Sequence, residues 1–183
     1  MKVELSKFDN SWYIPGGGFI KRGIWYFVNH CVFRTPIPFP SALKCMILRW
    51  FGGEIGKEVV LKPRINIKYP WRLFIGDHSW IGEGVWIDNL DDVTIGANVC
   101  VSQDAYLLCG NHDFKKEAFD LITKPIVLED GSWIGARSIV CPGVKTGTNS
   151  VLTVGSVASH DLFPFGIYRG NPATFIKERK FES

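Results

Sequence analysis

A chain of 183 residues with 46% hydrophobic content suits one domain with a sizeable core. A formal net charge of +3, scattered in small groups, excludes the basic stripe of a nucleic-acid-binding surface and is compatible with an anionic cofactor. Five cysteines (Cys31, Cys45, Cys100, Cys109 and Cys141), odd in number and without CxxC spacing, read as reduced, mostly buried thiols and hence as a cytoplasmic protein.

Residues 1–53 read as an N-terminal arm and helical cap. Met1 to Ser11 is polar and mixed in charge, unlike a signal peptide. Gly16-Gly17-Gly18 forms a hinge into a helix from Ile20 to Phe33. The apolar run Phe19 to Phe33 is interrupted by Lys21, Arg22, Asn29 and His30, whereas a bilayer span needs ~20 apolar residues. Pro36, Pro38 and Pro40 impose an extended link, Ser41 caps a second helix to Phe51, and Gly52-Gly53 stops it. The aromatics Trp25, Tyr26, Phe27, Phe33, Trp50 and Phe51 suit a cap on the open end of a repeat array that also packs on a neighbouring subunit. Together with Lys21, Arg22, Arg34, Lys44 and Arg49 they also suit peripheral association with the inner face of a membrane.

Residues 54–160 repeat with a period of six, which fits neither a helix at 3.6 nor a free strand at 2 and so reports a higher-order coil. Three hexads make one triangular turn of a parallel β-helix. The first wall then stacks Ile55, Ile75, Ile95, Leu128 and Thr146. The second stacks Leu61, Ile81, Val101, Ile134 and Leu152, and the third Ile67, Ile87, Leu107, Val140 and Ala158. About five triangular coils result. First-wall spacings of 20, 20, 33 and 18 place one large insertion, the loop 108–127, and it contains His112. Lys62-Pro63, Tyr69-Pro70 and Cys141-Pro142 fall near corners, where proline costs little ladder bonding.

Residues 161–183 form a C-terminal extension. Phe163-Pro164-Phe165-Gly166 turns the chain away, Ile167 to Gly170 reads as a short strand, and a basic helix is expected from Thr174 to about Lys180.

Several segments together carry a resemblance: Leu48-Arg49-Trp50-Phe51-Gly52-Gly53-Glu54-Ile55-Gly56, Tyr69-Pro70-Trp71, Gly110-Asn111-His112-Asp113, Pro125-Ile126 through Trp133-Ile134-Gly135, and Gly170-Asn171-Pro172-Ala173. With the hexads, they make the chain similar to hexapeptide-repeat acyltransferases, most of all to colanic-acid-type exopolysaccharide O-acetyltransferases. The resemblance implies an all-β core in a left-handed parallel β-helix with an N-terminal helical cap and a C-terminal helix. It also implies a homotrimer whose three sites lie in grooves between chains, without a metal. The implied reaction moves an acetyl group from acetyl-CoA to a saccharide hydroxyl, in an exopolysaccharide precursor.

A hydroxyl must lose its proton as it attacks a thioester, so a base titrating near neutrality is useful. His112 matches the family's catalytic base and stands on the long insertion, where function concentrates. His78 sits at a regular corner place and His30 in the cap. Asp88 aligns with an acidic residue that contacts the acceptor in the wider family, and it could orient the base; Asp113 is the other candidate orienter. Asn89 and the outward Trp86 could shape the acceptor pocket. For the cofactor, similarity points to Gly135 and Ala136 beside the pantetheine arm and to Val154 and Gly155 in the last coil. Ser159 and His160 stand where relatives often carry Thr-Lys, and Lys177 and Arg179 could supply the phosphate grip instead. Cys109, near His112, reads as a packing thiol, so direct transfer is favoured over an acyl-enzyme. Two other readings share the coil: a non-catalytic trimeric scaffold or sugar-binding protein, and a γ-class carbonic anhydrase, which would need three histidines around zinc.

Overall fold

The computed structural model describes residues 2–182. The hexad series meets in strand pairing on all three walls. Ile55, Ile75, Ile95, Leu128 and Thr146 are successive register partners. So are Leu61, Ile81, Val101, Ile134 and Leu152, and likewise Ile67, Ile87, Leu107, Val140 and Ala158. Each of these pairings is parallel, so the chain climbs one level per triangular circuit and forms a parallel β-helix.

Such short strands hold because every level bonds to the next. The amides of Gly56, Lys62 and Lys68 donate to the carbonyls of Ile75, Ile81 and Ile87 at 2.7, 3.0 and 3.1 Å. The hexad side chains meanwhile fill the axis: Ile67, Ile81, Ile87, Val101 and Leu107 are wholly buried. Burying each contributes roughly 1.5–3 kcal/mol. The small residue four places on has its own task. Ser79 Oγ donates to Gly96 O at 2.6 Å and accepts from Val99 N at 3.0 Å, tying one corner to the next level.

Two expectations need correction. The coil runs beyond five turns, since Leu162 bridges to Thr146 and Tyr168 pairs with Leu152. Leu162 follows Ala158 by four residues instead of six, so the period is masked there. The expected C-terminal helix is a strand, Ala173–Glu178, antiparallel to Gly166–Gly170. Thr174, Phe175 and Ile176 are β-branched or aromatic, and an open sheet edge beside them offers backbone partners that outweigh the helical preference of the Lys-Glu-Arg-Lys run.

The cap contains α1 (Gly18–Val28), continued by a wider turn over Asn29–Phe33, and α2 (Ser41–Trp50). Ser41 is the first helical residue and Pro40 the cap; the Ser41 hydroxyl instead accepts from Leu61 N at 3.0 Å. The lowest coil would otherwise leave the carbonyls of Ile55, Leu61 and Ile67 facing out with no level beneath. One side chain answers each wall: Arg49 Nε donates to Ile55 O at 3.0 Å, buried Lys44 Nζ to Leu61 O at 3.2 Å, and Trp25 Nε1 to Ile67 O at 2.9 Å. The edge is thereby closed by donors from helices. Among the described residues, no helix is long and apolar enough to cross a membrane.

The insertion leaves the third corner, between wall three and the next wall one. It folds into an antiparallel hairpin, Gly110–His112 with Leu121–Thr123, in which His112 is opposite Leu121.

Candidate active site

At the third corner, a cavity of about 740 Å³ opens between the hairpin, the wall and the N-terminal arm. His112 and Asn111 line it from the hairpin, Lys68, Tyr69, Asp88 and Leu108 from the coil, and Phe8, Asn10 and Tyr13 from the arm.

The His112 ring is fixed on three sides. Its Nδ1 lies 2.8 Å from Phe119 O. A carbonyl only accepts, so Nδ1 carries the proton and Nε2 is left as the basic atom. Phe119 also stacks on the imidazole at 4.8 Å between centroids and 17°, while Phe8 approaches from the arm at 5.7 Å. The expected carboxylate orienter is therefore replaced by a backbone carbonyl. Asp113 accepts from Lys115 N at 3.1 Å and shapes the hairpin turn.

Asp88 is buried at the cavity wall, with Lys68 Nζ 2.9 Å from its Oδ1. That contact is an ion pair without hydrogen-bond geometry, and Oδ1 itself is closed off from solvent. The ion pair holds the carboxylate in place where burial alone would penalise its charge. Above it, burial pushes the Tyr106 phenol up to about 12, with Asp88's negative charge acting the same way.

Asn89 does not line the cavity. It is fully buried, and its amide clamps the turn that carries Tyr69: Oδ1 accepts from Tyr69 N at 2.9 Å, and Nδ2 donates to Tyr69 O at 2.5 Å and to Arg72 O at 3.2 Å. Trp86 stacks on Tyr106 at 4.8 Å and faces a neighbouring groove.

The N-terminal arm was legible only as irregular chain, yet it roofs the cavity. Tyr13 Oη donates to Leu90 O at 2.6 Å, Trp71 Nε1 to Pro15 O at 2.8 Å, and Glu4 N to Glu117 O on the hairpin at 2.9 Å. Burial first, then the neighbouring Tyr69, raises the Tyr13 phenol, so it stays protonated as a donor. The Tyr69-Pro70-Trp71 motif was the available signal for that docking point.

The candidate cofactor residues lie elsewhere. Gly135 and Ala136 turn the second corner, between walls two and three, and Val154 and Gly155 turn it one level up. Gly155 N donates to Ala136 O at 2.9 Å. A Cβ on Gly135 would stand 2.5 Å from Val154 N, so the levels can stack here only with glycine. A Cβ on Gly155 would meet nothing, which leaves that turn open for a ligand's approach. Ser159 and His160 bond to one another at 3.1 Å. Arg179 is committed to Gly131 O and Asn149 O at 3.1 and 3.2 Å, so its guanidinium is largely used inside the fold. Lys177 lies on the terminal strand, paired in register with Ile167.

Of the other histidines, His78 turns a corner with φ 59 and lies 3.1 Å from Glu58. Cys109 is wholly buried and burial pushes its thiol up to about 12, which makes it a poor nucleophile at neutral pH. Iodoacetamide at pH 8 should therefore label exposed Cys31 and spare Cys109 in the native protein, read by peptide mass. Labelling of Cys109 with loss of activity would reopen an acyl-cysteine route.

No family model matches the chain. It is 36% identical over 176 residues, 96% of this chain and 97% of the relative, to the putative colanic acid biosynthesis acetyltransferase WcaF of Escherichia coli (strain K12). Among solved structures, a hexapeptide-repeat acetyltransferase from Vibrio cholerae superposes with a TM-score of 0.79 at 25% identity, over 87% of this chain and 91% of that one. The same Vibrio protein complexed with acetyl coenzyme A superposes at 0.72 and 27% identity, over 80% and 81%.

Proposed function

The chain belongs to the hexapeptide-repeat acetyltransferases and uses acetyl-CoA, and from that premise we propose that it acetylates a saccharide hydroxyl directly, with His112 as general base. The observation that carries the reading is the fixed imidazole: Nδ1 is occupied by Phe119 O, and Nε2 is free to take a proton beside a cavity large enough for a sugar. The acceptor oxygen attacks the thioester carbonyl as its proton passes to Nε2, and the same proton then goes to the departing thiolate. Each proton transfer uses one atom in one place. Asp88 lines the cavity with its charge balanced by Lys68, and its carboxylate suits a hydrogen bond from a sugar hydroxyl. The name of the Escherichia coli relative supports an exopolysaccharide precursor as acceptor.

Gly135, Ala136, Val154 and Gly155 would pass the pantetheine arm, which carries the reactive thioester. They turn the second corner, whereas His112 hangs from the third, and none of them lines its cavity. A working site therefore draws its base from one chain and its cofactor groove from another, which supports a homotrimer, with the left-handed coil of the family. Ser159, His160 and Lys177 remain candidates for the cofactor's phosphates.

The test is release of free coenzyme A thiol across a panel of saccharides, with product mass and with light scattering on the purified protein. Thiol release that depends on the saccharide, a product heavier by one acetyl group, and three chains per particle are expected. A monomer with full turnover would sink the shared site.

The reading extends to a cytoplasmic protein held at the membrane face. Phe19, Ile20, Ile24 and Phe27 lie exposed on one side of α1, and no Asp or Glu occurs between Asp9 and Glu54. Co-sedimentation with vesicles containing anionic phospholipid should be lost in Phe19→Ser/Ile24→Ser. Equal pelleting with neutral vesicles, or none with either, would remove this extension.

A further inference from the structure

A second groove of about 340 Å³ runs between α1 and wall three. It adjoins the His112 cavity and shares Arg22, Lys68, Tyr69 and Asp88 with it. Its charges do not balance. Three cations line it, Arg22, Arg34 and Lys68, against the single carboxylate of Asp88. Lys68 already neutralises that carboxylate at 2.9 Å. Arg22 makes one long bond, 3.3 Å to Gly16 O, and among the described residues neither Arg22 nor Arg34 is paired with a carboxylate, so two guanidinium groups line the groove uncompensated. Trp86, stacked on Tyr106, lines the same groove together with Tyr26 and Tyr69.

Two unpaired guanidinium groups lining one groove with aromatic side chains suit a phosphate group better than a neutral sugar, because guanidinium binds phosphate oxygens in pairs. The groove also has a direction. A saccharide with its reacting hydroxyl at His112 would extend past Asp88 and Lys68 into it. We propose that this groove is the anionic half of the acceptor site and that it holds a phosphate or diphosphate carried by the saccharide, with Arg22 and Arg34 as its ligands. The inference rests on the His112 cavity being the acceptor site. The phosphate could belong to a nucleotide-linked or a lipid-linked sugar; both present the same group to the same arginines.

Calorimetry with inorganic pyrophosphate, uridine diphosphate and farnesyl diphosphate tests it, on the wild-type protein and on Arg22→Gln/Arg34→Gln. Pyrophosphate should bind the wild type and bind the double variant at least tenfold more weakly, while acetyl-CoA binding, at another corner, reports that the variant is folded. Should the double variant not fold, Arg34→Gln alone should weaken pyrophosphate by about threefold or more. Tighter binding of uridine diphosphate than of pyrophosphate assigns a nucleotide-linked acceptor, and tighter binding of farnesyl diphosphate a lipid-linked one. Equal binding by wild type and variant overturns the proposal, since the anion then sits elsewhere. So does acetylation of neutral sugars by a protein that binds none of the three anions, an outcome that leaves the acetyltransferase reading intact. Arginine-dependent pyrophosphate binding without thiol release for any saccharide would uphold the groove and remove that reading instead.

Discussion

Replacing His112 with alanine is expected to lower turnover by about 10²-fold or more, the scale of a lost general base. The hairpin should survive the change, because its pairing is backbone to backbone and the ring adds one hydrogen bond, to Phe119 O, and contacts with Phe119 and Phe8. Acetyl-CoA affinity should also be largely kept, since the residues proposed to hold the pantetheine arm and phosphates do not include His112. The measurement is initial-rate kinetics with the coenzyme dissociation constant and particle mass alongside. Turnover within a few-fold of wild type would remove the base assignment. A fall in turnover accompanied by dissociated chains would instead make His112 a structural residue.

The second large effect is expected at Asn89, which no substrate need touch. Its amide satisfies two backbone groups of Tyr69 and one of Arg72 from a fully buried position. Asn89→Ala strips all three partners at once. An unsatisfied buried group costs about 1–3 kcal/mol, so a loss of roughly 3 kcal/mol or more is expected in chemical denaturation. Asn89→Asp keeps the bond from Tyr69 N but sets a buried carboxylate oxygen against the carbonyls of Tyr69 and Arg72, so it should destabilise at least as much. Because Tyr69 and the adjoining Lys68 line both the cavity and the groove, the acceptor KM should rise as well. A denaturation midpoint equal to wild type would refute the clamp.

Sequence periodicity revealed the walls because a residue pointing into a three-sided axis has no alternative to being small or apolar, and it recurs at a fixed interval. The fifteen wall residues from Ile55 to Ala158 are accordingly all buried register partners. The interval failed where a corner shortened before Leu162. Asn89 was read as shaping the acceptor pocket and is instead turned inward, since the sequence does not say which way an amide points. The partner of His112 was unreadable for a deeper reason: Phe119 contributes its carbonyl, and every residue has one. Phe8 and Tyr13 are joined to the site only through long-range contacts of an arm that has no period. The terminal strand was misread because its local preference is helical and its stability comes from a neighbouring edge.

A spiral of identical steps has no inherent first step; one more turn could always be added beneath, by this chain or by another. Here Arg49, Lys44 and Trp25 occupy the positions that such a turn would use. They act as a full stop written in side chains. A further strand arriving from below would find those carbonyls already taken, so end-to-end growth into a fibre is disfavoured at this end.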